Sequence, residues 1–336
     1  MDNRISVLKI LAAFMVVLLH LSGSNFYTFS DRWASANFYD SLTRAGVPLF
    51  FMISGATLLG KREPLFTFLS KRAARILPPL LLWSVIYLWW LDHNGVQTGN
   101  WMVAILRGPT MYHLWYFYAA LGLYAFTPVL RRIFQHSSNS ELGWYVGLWF
   151  AAALLFPSLS ALTTGGCVRI GMGRLAEIYH LQYFAGFAGY MLLGALLARY
   201  AKAFGGWKVG IPLYAGAVLA TMTIVYLQSQ AAGRPCEAFY DYFSPLVALA
   251  AAGLFISILG RAPAPEMPWL TRVAGCMLGI YGLHVLAIEQ LWLRAGLSPK
   301  SGNPWISTPL TAVIVFCACL VVIDTIRRAK AARIAV

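Results

Sequence analysis

Lys9 and His20 stand eleven positions apart inside one unbroken apolar stretch. An ionisable side chain so placed is expensive to bury and reads as functional by default. On a helix, eleven residues make about three turns, so both side chains project from nearly the same face with a rise of roughly 16 Å between them. One face thus offers a cation near one end and an imidazole near the other. Two further segments carry imidazoles at a similar expected depth: Tyr112-His113-Leu114-Trp115-Tyr116, and Tyr281-Gly282-Leu283-His284, which Glu289 follows. A carboxylate can hold an imidazole in one tautomer and raise its basicity, as a general base acting on a hydroxyl requires. The competing reading is interfacial placement, with Lys9 snorkelling to water and His20, His113 and Glu289 lying at span ends. The histidines lack metal-ligand spacing, so no metal is expected.

A basic cluster, Lys71-Arg72-Ala73-Ala74-Arg75, precedes Pro78-Pro79. In a helix Arg72 and Arg75 share a face, and guanidinium forks suit phosphate oxygens. The same charges would also serve as a topological stop signal. In Val47-Pro48-Leu49-Phe50-Phe51-Met52-Ile53-Ser54-Gly55 the small residues permit close approach of a helix or a ligand. Ser54 has no base within helical reach in its own span, so packing is its expected role.

The elements that position these residues follow from composition. Of 336 residues, 59% are hydrophobic and 11% charged, against roughly a quarter charged in a soluble domain. Apolar runs between polar or Pro/Gly breaks predict an all-α, polytopic membrane helix bundle of about ten transmembrane helices, at 5–22, 44–60, 76–92, 111–130, 143–157, 182–200, 207–228, 243–260, 271–294 and 307–326. The first is expected to be a retained span, because no small-x-small cleavage signal follows it. The net charge of +14 lies in short clusters between spans, which argues for membrane topology and against nucleic acid. With both termini cytoplasmic, eighteen of the 26 Lys and Arg fall on that side, as the positive-inside rule demands. No appended catalytic domain and no internal repeat are expected, so residues 1–336 read as a single transmembrane domain whose chemistry lies within the bundle. Cys167 and Cys236 fall in loops on the far side, where a disulfide could persist; pairing and two free thiols are both open.

These motifs, in this order, resemble the acyltransferase family 3 of integral membrane proteins over essentially the full length. The first span matches its basic residue, ten intervening residues and a histidine in Lys9 and His20, with lysine where arginine is commoner and Ser6 where an acidic residue is frequent. Phe50-Phe51-Met52-Ile53-Ser54-Gly55 is similar to its aromatic Ser-Gly motif, and Arg72 and Arg75 fall on its paired arginines. His113-Leu114-Trp115-Tyr116 and Leu278-Gly279-Ile280-Tyr281-Gly282-Leu283-His284 look like its later signatures, with Cys276-Met277 where a small polar residue is frequent. Among subfamilies, the string beginning at Val47 is most similar to the enterobacterial common antigen O-acetyltransferase group.

The resemblance implies an enzyme of the bacterial inner membrane that moves an acyl group, most often acetyl, from cytoplasmic acyl-CoA to a hydroxyl of a periplasmic or cell-surface glycan. Lys9, Arg72 and Arg75 would neutralise the phosphates of acetyl-CoA, a donor substrate and not a resident cofactor. His20 would act as general base or transient acyl carrier, with His113, His284 and Glu289 in support. Two other classes stay open: a transporter or flippase for a lipid-linked sugar or acyl compound, and a structural subunit in which these charges only set topology.

Overall fold

The computed structural model describes residues 2–163, 167, 186–200, 203–263, 265–295 and 302–329, with the backbone alone over 291–295. Its elements are helices, with no strand among the described residues. The first, α1 (Asn3–Phe26), opens on Asp2, whose side chain accepts from the Arg4 backbone N–H at 2.9 Å. Apolar residues surround its whole circumference, from Leu8 through Ala12, Val16 and Val17 to Leu21, and all are buried. A helix apolar on every side belongs in the middle of a bundle, and α1 is the element around which the others are arranged.

Packed against it are α2 (Trp33–Thr43) and α3 (Gly46–Leu58), followed by α4 (Leu65–His93), which runs through Pro78 and Pro79 without ending. The short α5 (Trp101–Arg107) starts at an Asn100 cap, and a single 3-10 turn, Tyr112–Leu114, leads into α6 (Trp115–His136). Ser138 and Glu141 form a reciprocal capping box at the start of α7 (Asn139–Thr163), which widens to a π-helix over Phe150–Leu155. The chain continues through α8 (Phe187–Tyr200) and α9 (Trp207–Ala232), which ends on Gly233 at φ 62°, a left-handed conformation that favours glycine. Then come α10 (Pro245–Leu259), α11 (Pro268–Gly275), α12 (Met277–Ala295) and α13 (Pro304–Arg328). The Arg4 guanidinium donates to the Leu259 and Arg261 carbonyls at 2.8 and 2.7 Å, so the start of α1 satisfies orphan carbonyls at the end of α10.

Among the described residues six helices are long and apolar enough to cross a membrane, or seven when α11 and α12, bent by 50°, count as one broken span. The other three expected spans also coincide with helices, but differently. The 44–60 span is the 13-residue α3, the 111–130 span is α6, which is not among the six, and 182–200 contains α8 but begins outside the described residues. Close backbone approach holds the short α3 in place. A Cβ on Gly55 would run into the Met191 backbone of α8, and one on Gly194 would run into the Met52 backbone of α3. This is the small-residue packing expected at Ser54-Gly55. Ser54 itself donates to the Phe50 carbonyl at 3.0 Å.

Cys167 and Cys236 are bonded, with Cα atoms 4.3 Å apart, and both are buried. Cys276, Cys317 and Cys319 are free thiols.

Candidate active site

At the C-terminal end of α1 the three expected imidazoles converge from three elements. The His20 ring centroid is 5.1 Å from that of His284 on α12 and 6.4 Å from that of His113 in the 3-10 turn before α6. His113 and His284 are themselves 5.1 Å apart and essentially fully buried. Tyr112 closes one side, 5.3 Å from His20, and Tyr87 of α4 another, 5.0 Å from His113.

The His284 tautomer follows from its partner. Its Nδ1 lies 2.7 Å from the Tyr281 carbonyl oxygen, which can only accept, so Nδ1 carries the proton. In the neutral ring Nε2 is then a bare lone pair, and it is buried without a hydrogen-bond partner among the described residues, as are both ring nitrogens of His113. For His284, then, the orienting group is a carbonyl one turn back on the same helix and not a carboxylate. Glu289 instead lines a cavity of about 500 Å³ together with His20, Ser24, Arg44 and Tyr242, and its Oε2 also lacks a partner.

Tyr87 shapes the helix beneath His284. Its hydroxyl donates to the Gly282 carbonyl at 2.8 Å and accepts from the Leu286 N–H at 3.0 Å, standing inside the helical step those two groups would otherwise close. Insertion into the ladder bends a helix locally. Gly282 is required beside it, because a Cβ there would occupy the Trp83 indole.

At the opposite end of α1, Lys9 and Arg75 share a mouth of about 800 Å³ with Arg272, Asp324, Arg327 and Arg328. Both also line a narrow slot of about 80 Å³ that continues inward past Ser54, Tyr116 and Tyr124 to Tyr281. Tyr281 links slot to histidines: its ring is 5.7 Å from His113 and 5.8 Å from His284, and its hydroxyl donates to the His113 carbonyl. Mouth, slot, histidine cluster and far cavity thus succeed one another along α1.

Arg72 departs from the sequence expectation. It lies over the Phe68 ring at 5.4 Å, a ring that Arg131 also covers at 4.6 Å, and it does not line the mouth. Nearby, Glu63 pairs with Lys71 at 2.7 Å, and that hydrogen bond holds the Glu63 carboxyl below its usual range. Two positions three apart on a helix differ by about 60° in direction, and here this separates the paired arginines onto two surfaces.

Sequence reasoning passed over Tyr87, whose type in an apolar helix signals only core. It also passed over Arg272 and Arg327, counted only as topology signals. It missed the buried trio of Ser22, Asp40 and Arg44 as well: Arg44 pairs with Asp40 at 3.3 Å, and Ser22 donates to the other Asp40 oxygen. An Asp and an Arg four apart were the available sign. Among the described residues no group of His, Cys, Asp or Glu has the arrangement of a metal site.

Comparison with known families matches the acyltransferase domain over residues 2–327. No curated protein and no solved structure matches the chain. The family match spans nearly the whole length and includes every residue of the histidine cluster, with Lys9 and Arg75 of the basic mouth, and the apolar helices make the chain multi-pass: it belongs to this family of membrane acyltransferases.

Proposed function

We propose that the chain transfers an acyl group, acetyl in the first instance, from a coenzyme A thioester at the mouth holding Lys9 and Arg75 to a saccharide hydroxyl in the cavity holding His20. The observation that carries this reading is the ordered path along α1: cations, then a slot of about 80 Å³, then three imidazoles, then a second cavity. Phosphates suit the mouth. The extended pantetheine arm is of the same order of length as the roughly 16 Å that separates Lys9 from His20.

In the transfer, an imidazole nitrogen takes the proton of the acceptor hydroxyl as its oxygen bonds to the thioester carbonyl carbon. The carbon–sulfur bond then breaks, and the thiolate leaves with a proton returned from the imidazolium as free thiol. Passage through a transient acyl-histidine gives the same balance in two steps. His20, the histidine that lines the acceptor cavity, is the proposed base. His284, with its proton held on Nδ1, and His113 and Glu289 complete its surroundings.

In this reading both termini are cytoplasmic in a bacterial inner membrane, and α3, α6 and α8 bring the spans to ten. The resemblance of the string beginning at Val47 supports reading the chain as one of the enterobacterial common antigen group. A transporter built on the same path would have to open the layer of Tyr116, Tyr281 and His113 rings. That layer favours group transfer over passage of a whole substrate.

The test is glycan O-acetylation in a deletion strain complemented with wild type or His20→Ala at matched membrane expression. The expected outcome is restoration by wild type and a loss of at least a hundredfold in His20→Ala. Full restoration by His20→Ala removes its assigned role, and an unacetylated wild-type glycan moves the weight to the transporter.

A further inference from the structure

A second cleft, of about 600 Å³, opens beside the histidine cavity and shares a wall with it. Arg44 and Tyr242 line both. Arg44 is held by the buried Asp40 carboxylate and lies over the Tyr240 ring at 4.5 Å. Its Nε is nonetheless buried with no hydrogen-bond partner among the described residues.

The cleft is built from flat aromatic faces. Trp115 stacks on Tyr242 at 5.7 Å and 29°, and its ring centroid lies 5.4 Å from that of Phe187. Around this ladder stand Arg44 and Arg234, and against them Glu237 and Asp241. Two cations and two carboxylates leave the described lining without net charge, so it has no pull for a polyanion. Aromatic faces with carboxylates at their edges suit a ring whose faces are C–H and whose rim is hydroxyl.

We infer that this cleft is the docking site of the acceptor, and that the acceptor unit bound there is a neutral saccharide stacked on the Trp115–Tyr242 ladder, its hydroxyls held by Glu237 and Asp241. A sugar seated there adjoins the histidine cavity, with which the cleft shares Arg44 and Tyr242, so a neighbouring hydroxyl of the same acceptor enters the cavity holding His20. The inference rests on the acyltransferase reading and deepens it by naming the acceptor's place and charge.

The test uses the full chain in nanodiscs, with two neutral tetrasaccharides (chitotetraose and maltotetraose) and anionic tetragalacturonate as probes, bound in saturation-transfer NMR. At least one neutral probe is expected to bind, at least tenfold more tightly than tetragalacturonate, and to weaken at least tenfold in Trp115→Ala and in Asp241→Asn. Because a truncation can damage the fold, Arg234→Cys, at an exposed residue of the lining to which no hydroxyl is assigned, is compared before and after labelling with a bulky maleimide, beside wild type labelled in the same way. Binding is expected to disappear on labelling alone. Failure of both neutral probes to bind, preference for the anionic one, or wild-type binding in the labelled protein would each overturn the assignment. Release of free thiol from acetyl-CoA with water as the acyl acceptor and acetate as the other product, in wild type and His20→Ala, tests the underlying acyltransferase reading separately, since it requires no saccharide.

Discussion

At the residue scale, the site separates groups that the sequence placed together. Arg75 reaches the basic mouth while Arg72 lies over Phe68 with Arg131. A charge-assisted hydrogen bond to a ligand is worth about 1.5–3 kcal/mol. Arg75→Ala should therefore raise the KM for acetyl-CoA at least tenfold, and Arg72→Ala should change it much less. Equal effects, measured by thiol release, would put both arginines on the donor. The Asp40–Arg44 pair supports a second expectation. Removing one partner of a buried ion pair strands the other, at a cost on the order of 3–5 kcal/mol. Asp40→Ala should thus lower the thermal midpoint of the purified protein markedly, and Asp40→Asn, which keeps a hydrogen-bond acceptor beside Ser22 and Arg44, should lower it less.

At the scale of elements, the decisive contacts are made by residues with almost no side chain. Gly55 and Gly194 let α3 and α8 touch backbone to backbone, which explains how a 13-residue helix keeps a fixed place in the bundle. Gly55→Ala must push the two helices apart and should destabilise by roughly 1–3 kcal/mol or more. Gly122→Ala on α6, where a Cβ meets nothing within 4 Å, should be neutral or stabilising by up to about 1 kcal/mol. Monodispersity on gel filtration after stepped heating distinguishes the two. Much of this level was legible: the helical class, the position of most expected spans on helices among the described residues, the packing role of Gly55, and the shared end of His20, His113 and His284. What the sequence could not convey was contact between distant elements. Nothing in Tyr87 announces that its hydroxyl will stand inside the ladder of α12, and nothing in Arg72 announces that Phe68 will hold it away from Lys9. Orientation about a helix axis is decided by neighbours, and those neighbours come from other parts of the chain.

At the scale of the whole molecule, the path along α1 has two open ends and a closed middle. The mouth and the far cavity are each roomy enough for a polar group. Between them the slot narrows to Tyr116 and Tyr281, whose rings are 5.4 Å apart, and the Tyr281 hydroxyl is bonded to the His113 carbonyl. Such a layer is an electrical insulator as well as a steric stop. A layer packed this closely is expected to break any thread of water at Tyr281, so that protons on one side do not hop to the imidazoles on the other and proton-transfer chemistry proceeds without short-circuiting the cell's stored voltage. Liposomes containing the wild-type chain and loaded with a pH-sensitive dye should hold a proton gradient as well as empty ones, and Tyr281→Ala should make them leak.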